Sequence, residues 1–446
     1  MSIYLILLIT IVKKITSFKY LKLTFQRNLN GLTNDNIMEK LFNNDIYTKI
    51  KIGSKSEEIP LSFKTNTYPF YLISSDIESS EVKLFDYKKS DTYKIISDKE
   101  TTFENIEFTE AKQSSDKLKL SQSEFQNLED FKFMHAIKLN EKFIINEAGT
   151  IGLLIQSDNI KYEEFNFISQ LKKRHLIDES IYSFQYTDIK KEKGEFIVGV
   201  KLDEIDKKKY NSSNYRSIVV DPDLYILSWR IKIEKIYFDN KIYINYDDYI
   251  YFQIEKGVII ASKELQAIIK KKNFFEANSC DLNTFQIKEL QEIYNYYICS
   301  DTIDIQSFGN LTFHINKTER DYMNFTLNHE DLFYKFNQRY YFLIVFPNKL
   351  NNEIILGTPF LKKYDIIFNM EQGRIGFYTE INKSTVFTLT HLIIIILFLI
   401  IIGLVLFIYF SLCKKKRKLR VNEIEDDFDY IPHRQQLKAQ EKLISI

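Results

Sequence analysis

Apolar and polar residues alternate in short runs along most of the chain between Ile46 and Tyr378. IYTKIKI (46–52), IYSFQY (181–186), EFIVGV (195–200), WRIKIEKIYF (229–238), YYFLIVF (340–346) and DIIFN (365–369) show this pattern. Clusters of Asn, Asp, Gly and Lys separate them, which predicts strands joined by turns. Two stretches follow a helical period instead: FNFISQLKKRHLI (165–177) and SKELQAIIKKKNF (262–274), with apolar residues at i, i+3 and i+4. The pattern predicts a mainly β body with few helices. Residues 18–45, which precede it, read as a short leader or linker.

Two apolar runs break the alternation. IYLILLITIV (3–12) is too short to span a bilayer and matches the core of a secretory signal peptide, cut near Ser17. The Lys13-Lys14 pair directly after it leaves an uncleaved anchor as the alternative. The second run, Leu389 to Leu412, covers a hydrocarbon core of roughly 30 Å at about 1.5 Å per helical residue. KKKRKLR (414–420) follows at once and places the C-terminus in the cytosol. The expected organisation is a signal peptide (1–17), a lumenal or extracellular body (46–380), a juxtamembrane segment (381–388), one transmembrane helix (389–412) and a cytosolic tail (413–446). Such a type I protein belongs to a secretory-pathway membrane or the cell surface. The tail, with EIEDDFDY, reads as disordered and suited to an adaptor.

Asn211, Asn310, Asn316, Asn324 and Asn382 head N-x-S/T sequons, all before the span, as a glycoprotein requires. Cys280 and Cys299 share that compartment and could form one disulfide; Cys413 stands at the cytosolic membrane edge.

With 36 Phe and 29 Tyr against 12 Gly and 6 Pro, composition favours strands as well. A formal charge of +1 offers no global drive toward nucleic acid, and the basic run beside the span is a topology signal. The histidines, among them His135, His314 and His329, have no paired metal spacing, and no phosphate-binding or serine-hydrolase motif is present. No metal or cofactor is expected.

IILGTPFLKKYDIIFNMEQGRIGFY (354–378) closely follows the closing pattern of the pepsin-like family of aspartic proteases. Weaker likenesses agree in order: IYTKIKIGSKSEEIPLSF with the family's first strand pair, and NEAGTIGLL (146–154) with its first glycine step. SFQYTDIKKEKGEFIVG (183–199) resembles the end of the first lobe, WRIKIEKIYFDNK the opening of the second, and FGNLTFHI a later strand. The resemblance covers about 46–378. It implies a bilobal, mainly β fold with an interlobe peptide cleft, the lobes being 46–200 and 201–380. It also implies two aspartates, one per lobe, each in an Asp-Thr/Ser-Gly loop. Two carboxylates so close share one proton and activate a water.

The chain contains no such tripeptide. IPLSF leads straight into Lys64-Thr65-Asn66, where the family reads Asp-Thr-Gly. In the second lobe two registers compete. Glu255-Lys256-Gly257 keeps a glycine and is preferred; counting back from SKEL gives Gln253-Ile254-Glu255. Lys64 is a poor base near neutrality, and the expectation is that it pairs with Glu255 and holds the lobes together. The family's flap hairpin falls on 97–116, which lacks the usual tyrosine and glycine, although an Asn turn through Glu104-Asn105 can still form a hairpin. Cys299 matches a family cysteine whose usual downstream partner is missing, leaving either Cys280 as a substitute or Cys299 free. The leading expectation is a non-catalytic homologue that binds peptide or protein. The alternatives are an active endopeptidase with an atypical pair, and a membrane glycoprotein that uses the fold as a scaffold.

Overall fold

A computed structural model describes residues 19–378 except 30, 44–45, 79–81, 103–107, 121–126, 141–144, 146, 156–162, 189–191, 222–227, 240–241, 288–290, 319–320 and 350–351, and then residues 400–410 and 412. The body is built on two sheets, of 13 and 11 strands, with only short helices. Mainly β architecture is what the alternating pattern predicts, and two sheets are consistent with the bilobal fold that the resemblance implies.

The strands do not divide at residue 200. Tyr215–Val219, Ile366–Asn369 and Arg374–Tyr378 join the first sheet, where Ile366–Asn369 pairs with Ile181–Asp188. Residues up to Thr379 form one unit, and those from Glu380 a second.

The stretch expected to be a leader or linker is an integral part of the body. Leu21–Arg27 alternates, with Leu21, Leu23 and Phe25 buried. It lies between Lys193–Val198 and Ile46–Ile52 in the sheet. The short helix Ile37–Phe42 buries Ile37, Met38, Leu41 and Phe42 against Val258, Ile260, Tyr294 and Tyr341. Six residues are too few for a helical period to stand out in sequence.

The predicted helices occur as Phe167–Lys173 and Lys263–Lys271, capped by the side chains of Asn166 and Ser262. The strands Lys94–Thr102 and Phe108–Lys119 form an antiparallel hairpin in the flap region; its tip, with Glu104 and Asn105, lies outside the described residues. Cys280 and Cys299 form a disulfide. Asn211, Asn310 and Asn324 are exposed. Asn316 lies on the strand Leu311–Thr318 with its side chain outside the described residues, and Asn382 lies outside them altogether.

In the second unit, residues 400–410 are helical with every side chain exposed. Among the described residues no helix is long and apolar enough to cross a membrane; residues 389–399 and 411 of the expected span, the signal segment 1–17 and the whole of the tail 413–446 lie outside them.

Candidate functional site

The strand Glu57–Lys64 carries Ser62 and Lys64 on one face, two residues apart. Both reach the same oxygen of Glu147: Lys64 Nζ lies 2.8 Å from Oε1, and Ser62 Oγ donates to it at 3.1 Å. Ser62 Oγ also meets Thr150 Oγ1 at 2.7 Å, and Thr150 Oγ1 bonds the Tyr71 hydroxyl at 3.0 Å. Lys64 and Glu147 are 15% and 10% exposed, so the pair is sheltered from water. The ammonium is thus held within its own lobe by a carboxylate from NEAGTIGLL, which the sequence reading did not single out. The only sequence signal for it was position: Glu147 stands two residues before Gly149, in a segment already matched to the glycine step.

Lys64 therefore does not make the expected pair with Glu255. Glu255 Oε2 accepts instead from Thr65, whose amide lies at 3.1 Å and whose Oγ1 lies at 2.7 Å. Thr65 Oγ1 also stands 3.3 Å from the Phe252 carbonyl. A hydroxyl has one proton to give, and the shorter approach to a carboxylate is the stronger bond. Thr65 is buried and does brace the two halves, through a side chain of the second loop. Glu255 Oε1 is buried and has no hydrogen-bond partner among the described residues. Asn66 is exposed at the turn.

The strand ladders decide the second register. Lys64 stands opposite Gly152 in a parallel pair, and after the loop Tyr71 stands opposite Thr150. In the second half Phe252 stands opposite Leu356, which puts Gln253 level with Gly357, and Ile260 stands opposite Ile355. Gly152 and Gly357 close corresponding steps, and seven residues separate both Lys64 from Tyr71 and Gln253 from Ile260. Gln253-Ile254-Glu255 is thus the counterpart of Lys64-Thr65-Asn66, and the preferred register Glu255-Lys256-Gly257 is corrected.

The glycine that favoured that register serves another purpose. Gly257 donates its amide to the Phe42 carbonyl, and a side chain there would run into the Leu41 carbonyl and the Arg27 guanidinium. It is a crossing point for the N-terminal segment. Gly357 is needed similarly, because a side chain would collide with the carbonyls of Lys256 and Val258. Lys256 lies over the Phe42 ring, 4.3 Å from its centre, away from the loop's centre.

The floor beneath the loops is fixed by one backbone unit. Leu153 donates its amide to the Lys64 carbonyl at 2.8 Å. Its own carbonyl accepts from the Tyr182 hydroxyl at 3.0 Å and from Trp229 Nε1 at 2.7 Å. Both side chains are buried, and Tyr182 stacks on Phe368 with ring centres 4.9 Å apart. Two buried donors are satisfied at one acceptor, and the first loop is tied to the aromatic core.

The two positions where the fold would present carboxylates hold an ammonium and a neutral amide. Such a pair cannot share a proton or generate a nucleophilic water in the manner of paired carboxylates. Among the described residues no group of His, Cys, Asp and Glu is arranged to hold a metal ion. No curated protein matches the chain at a significant level. The family profile described as eukaryotic aspartyl protease matches residues 45–379, the two-sheet body apart from Leu21–Arg27 and the helix that follows it. The glycine steps, the parallel ladders around them and this match agree: the chain belongs to the eukaryotic aspartyl protease family.

Proposed function

We propose that this protein is a non-catalytic member of the aspartyl protease family, anchored in a membrane of the secretory route, that binds a peptide or protein near the two loops. The observation that carries the reading is the occupancy of the loops: Lys64 is neutralised by Glu147, and Gln253 has no charge to offer. Glu255, the one carboxylate of the second loop, is engaged by Thr65. Support for anchoring comes from the apolar run 389–412, the basic run after it and the sequons before it.

The test uses the full chain in detergent or nanodiscs, a mixed peptide library and pH 3 to 7, with an active member of the family as positive control. The expected outcome is no cleavage that a transition-state inhibitor of aspartic proteases blocks, together with saturable binding of a subset of peptides. Inhibitor-sensitive turnover would overturn the reading, and absence of both turnover and binding would leave the fold as a scaffold.

A second reading, atypical catalysis, draws on the buried and unpartnered Oε1 of Glu255. It requires that any turnover disappear in Glu255→Gln, which keeps an acceptor for Thr65 and removes the charge.

A further inference from the structure

A cavity of about 420 Å³, which Gly257 of the second loop helps to line, is bounded by the charged residues Arg27, Glu192 and Lys362 and by the apolar residues Leu41, Phe333, Leu343 and Pro359. Arg27, at the end of Leu21–Arg27, pairs with Glu192 at 2.7 Å, and their side chains are only 2% and 3% exposed. Lys362, on the helix Thr358–Lys363, bonds the other oxygen of Glu192. Two cations thus share one buried carboxylate, and among the described residues no second carboxylate pairs with either of them.

The remaining polar groups do not supply one. Arg27 Nη2 donates to the Leu41 carbonyl at 2.8 Å, but Arg27 Nε is buried and has no acceptor. Lys363 is taken up by Asp331 at 2.5 Å, and Glu330 sits exposed at the rim, where water screens it. Burial pushes the Lys362 ammonium down, Glu192 pulls it up and Arg27 adds to the depression, so its pKa lies below the ordinary lysine value. Glu192 itself holds a left-handed backbone, with φ at +50°, a conformation a glutamate keeps only where its surroundings impose it.

We propose that this cavity binds a small carboxylate carried on an apolar tail. The carboxylate supplies a second negative charge beside Arg27 and Glu192 and accepts from Lys362, whose side chain is 19% exposed. The tail lies on the Leu41, Phe333, Leu343 and Pro359 wall. The volume is in the range that encloses a small ligand. A neutral ligand leaves the buried charge uncompensated, which is costly in such a site. The proposal is independent of whether the catalytic loops retain activity.

The probe is 4-phenylbutyrate, titrated calorimetrically into the full chain in nanodiscs, with empty nanodiscs as blank. The expected result is saturable binding at one site, with 4-phenylbutanol about tenfold weaker or worse. Lys362→Gln leaves one cation facing one carboxylate and should weaken the acid about tenfold while leaving the alcohol unchanged. Leu343→Trp fills the cavity, keeps every charge and should abolish binding. Equal affinity for acid and alcohol, absence of saturation, or undiminished binding by Leu343→Trp would overturn the proposal. If Lys362→Gln does not fold, as judged by near-ultraviolet circular dichroism, the acid–alcohol comparison on the unmodified chain and Leu343→Trp decide the matter. A tripeptide ending in Phe, with a free or amidated C-terminus, separates the two sources of such a group. Tighter binding of the free peptide acid points to a chain terminus, and tighter binding of phenylbutyrate to a free organic acid.

Discussion

Replacing Lys64 by methionine removes the cation from a sheltered pair and leaves Glu147 with Ser62. A carboxylate stranded in this way costs on the order of 3 kcal/mol. Lys64→Met should therefore lower the urea midpoint clearly, and Lys64→Met with Glu147→Gln should recover most of the loss. Equal effects of the single and double variants would show that the pair does not act as a unit. The same residues show what a sequence can reveal at this scale. Lys64 and Thr65 were legible because IPLSF leads into them without ambiguity. Glu147 was not, because its approach to Lys64 depends on the Ser62–Thr150 register, which no local pattern specifies.

Helices and strands around the second loop explain why its register misled. Gly257 looks like a loop glycine in IEKGVII, yet its small size is required by the crossing of Leu41 and Arg27. A glycine read in one dimension says that something passes close, and not what passes. Gly257→Ala should destabilise the body by about 1–3 kcal/mol through overpacking, measured as a lower thermal midpoint. An unchanged midpoint would mean that the segment 31–43 shifts freely, against its burial beside Val258 and Ile260. The disulfide was legible as a candidate because only two cysteines precede the apolar run 389–412, but its formation depends on the antiparallel pairing of Asp281–Ile287 with Glu292–Ser300, which brings the two ends together.

Over the whole molecule, acid weakens the fold. His135 is buried among Phe85, Tyr87, Tyr93 and Phe133, with Nδ1 on the Tyr93 hydroxyl at 2.7 Å and Nε2 unpartnered. Burial pushes its imidazole down to about 4, with Asp76 pulling it up and Lys112 adding to the depression. An unfolded histidine takes its proton near 6.5, so stability falls as pH drops from about 6.5 to about 4 and then levels, a loss of about 3 kcal/mol. Burial pushes the Glu192 carboxyl up, but Arg27 and Lys362 outweigh it and hold it below the ordinary value. Its contribution is present above the usual carboxylate range and is lost on further acidification. Denaturant titrations between pH 7 and 4 should show the first slope, and His135→Phe should flatten it; an unchanged slope would assign the loss elsewhere. The mainly β body and the order of its glycine steps were readable because alternation and crossing points are local signals, whereas the place of Leu21–Arg27 inside the sheet was not, since its partner lies far along the chain. That placement sets a timetable for synthesis. The first strand to leave the ribosome has to wait for Lys193–Val198 before it can be enclosed, and Ile181–Asp188 has to wait for Ile366–Asn369. Until the last of these arrives, apolar edges stay open, so closure of the sheet is set by completion of the chain and not by any local step.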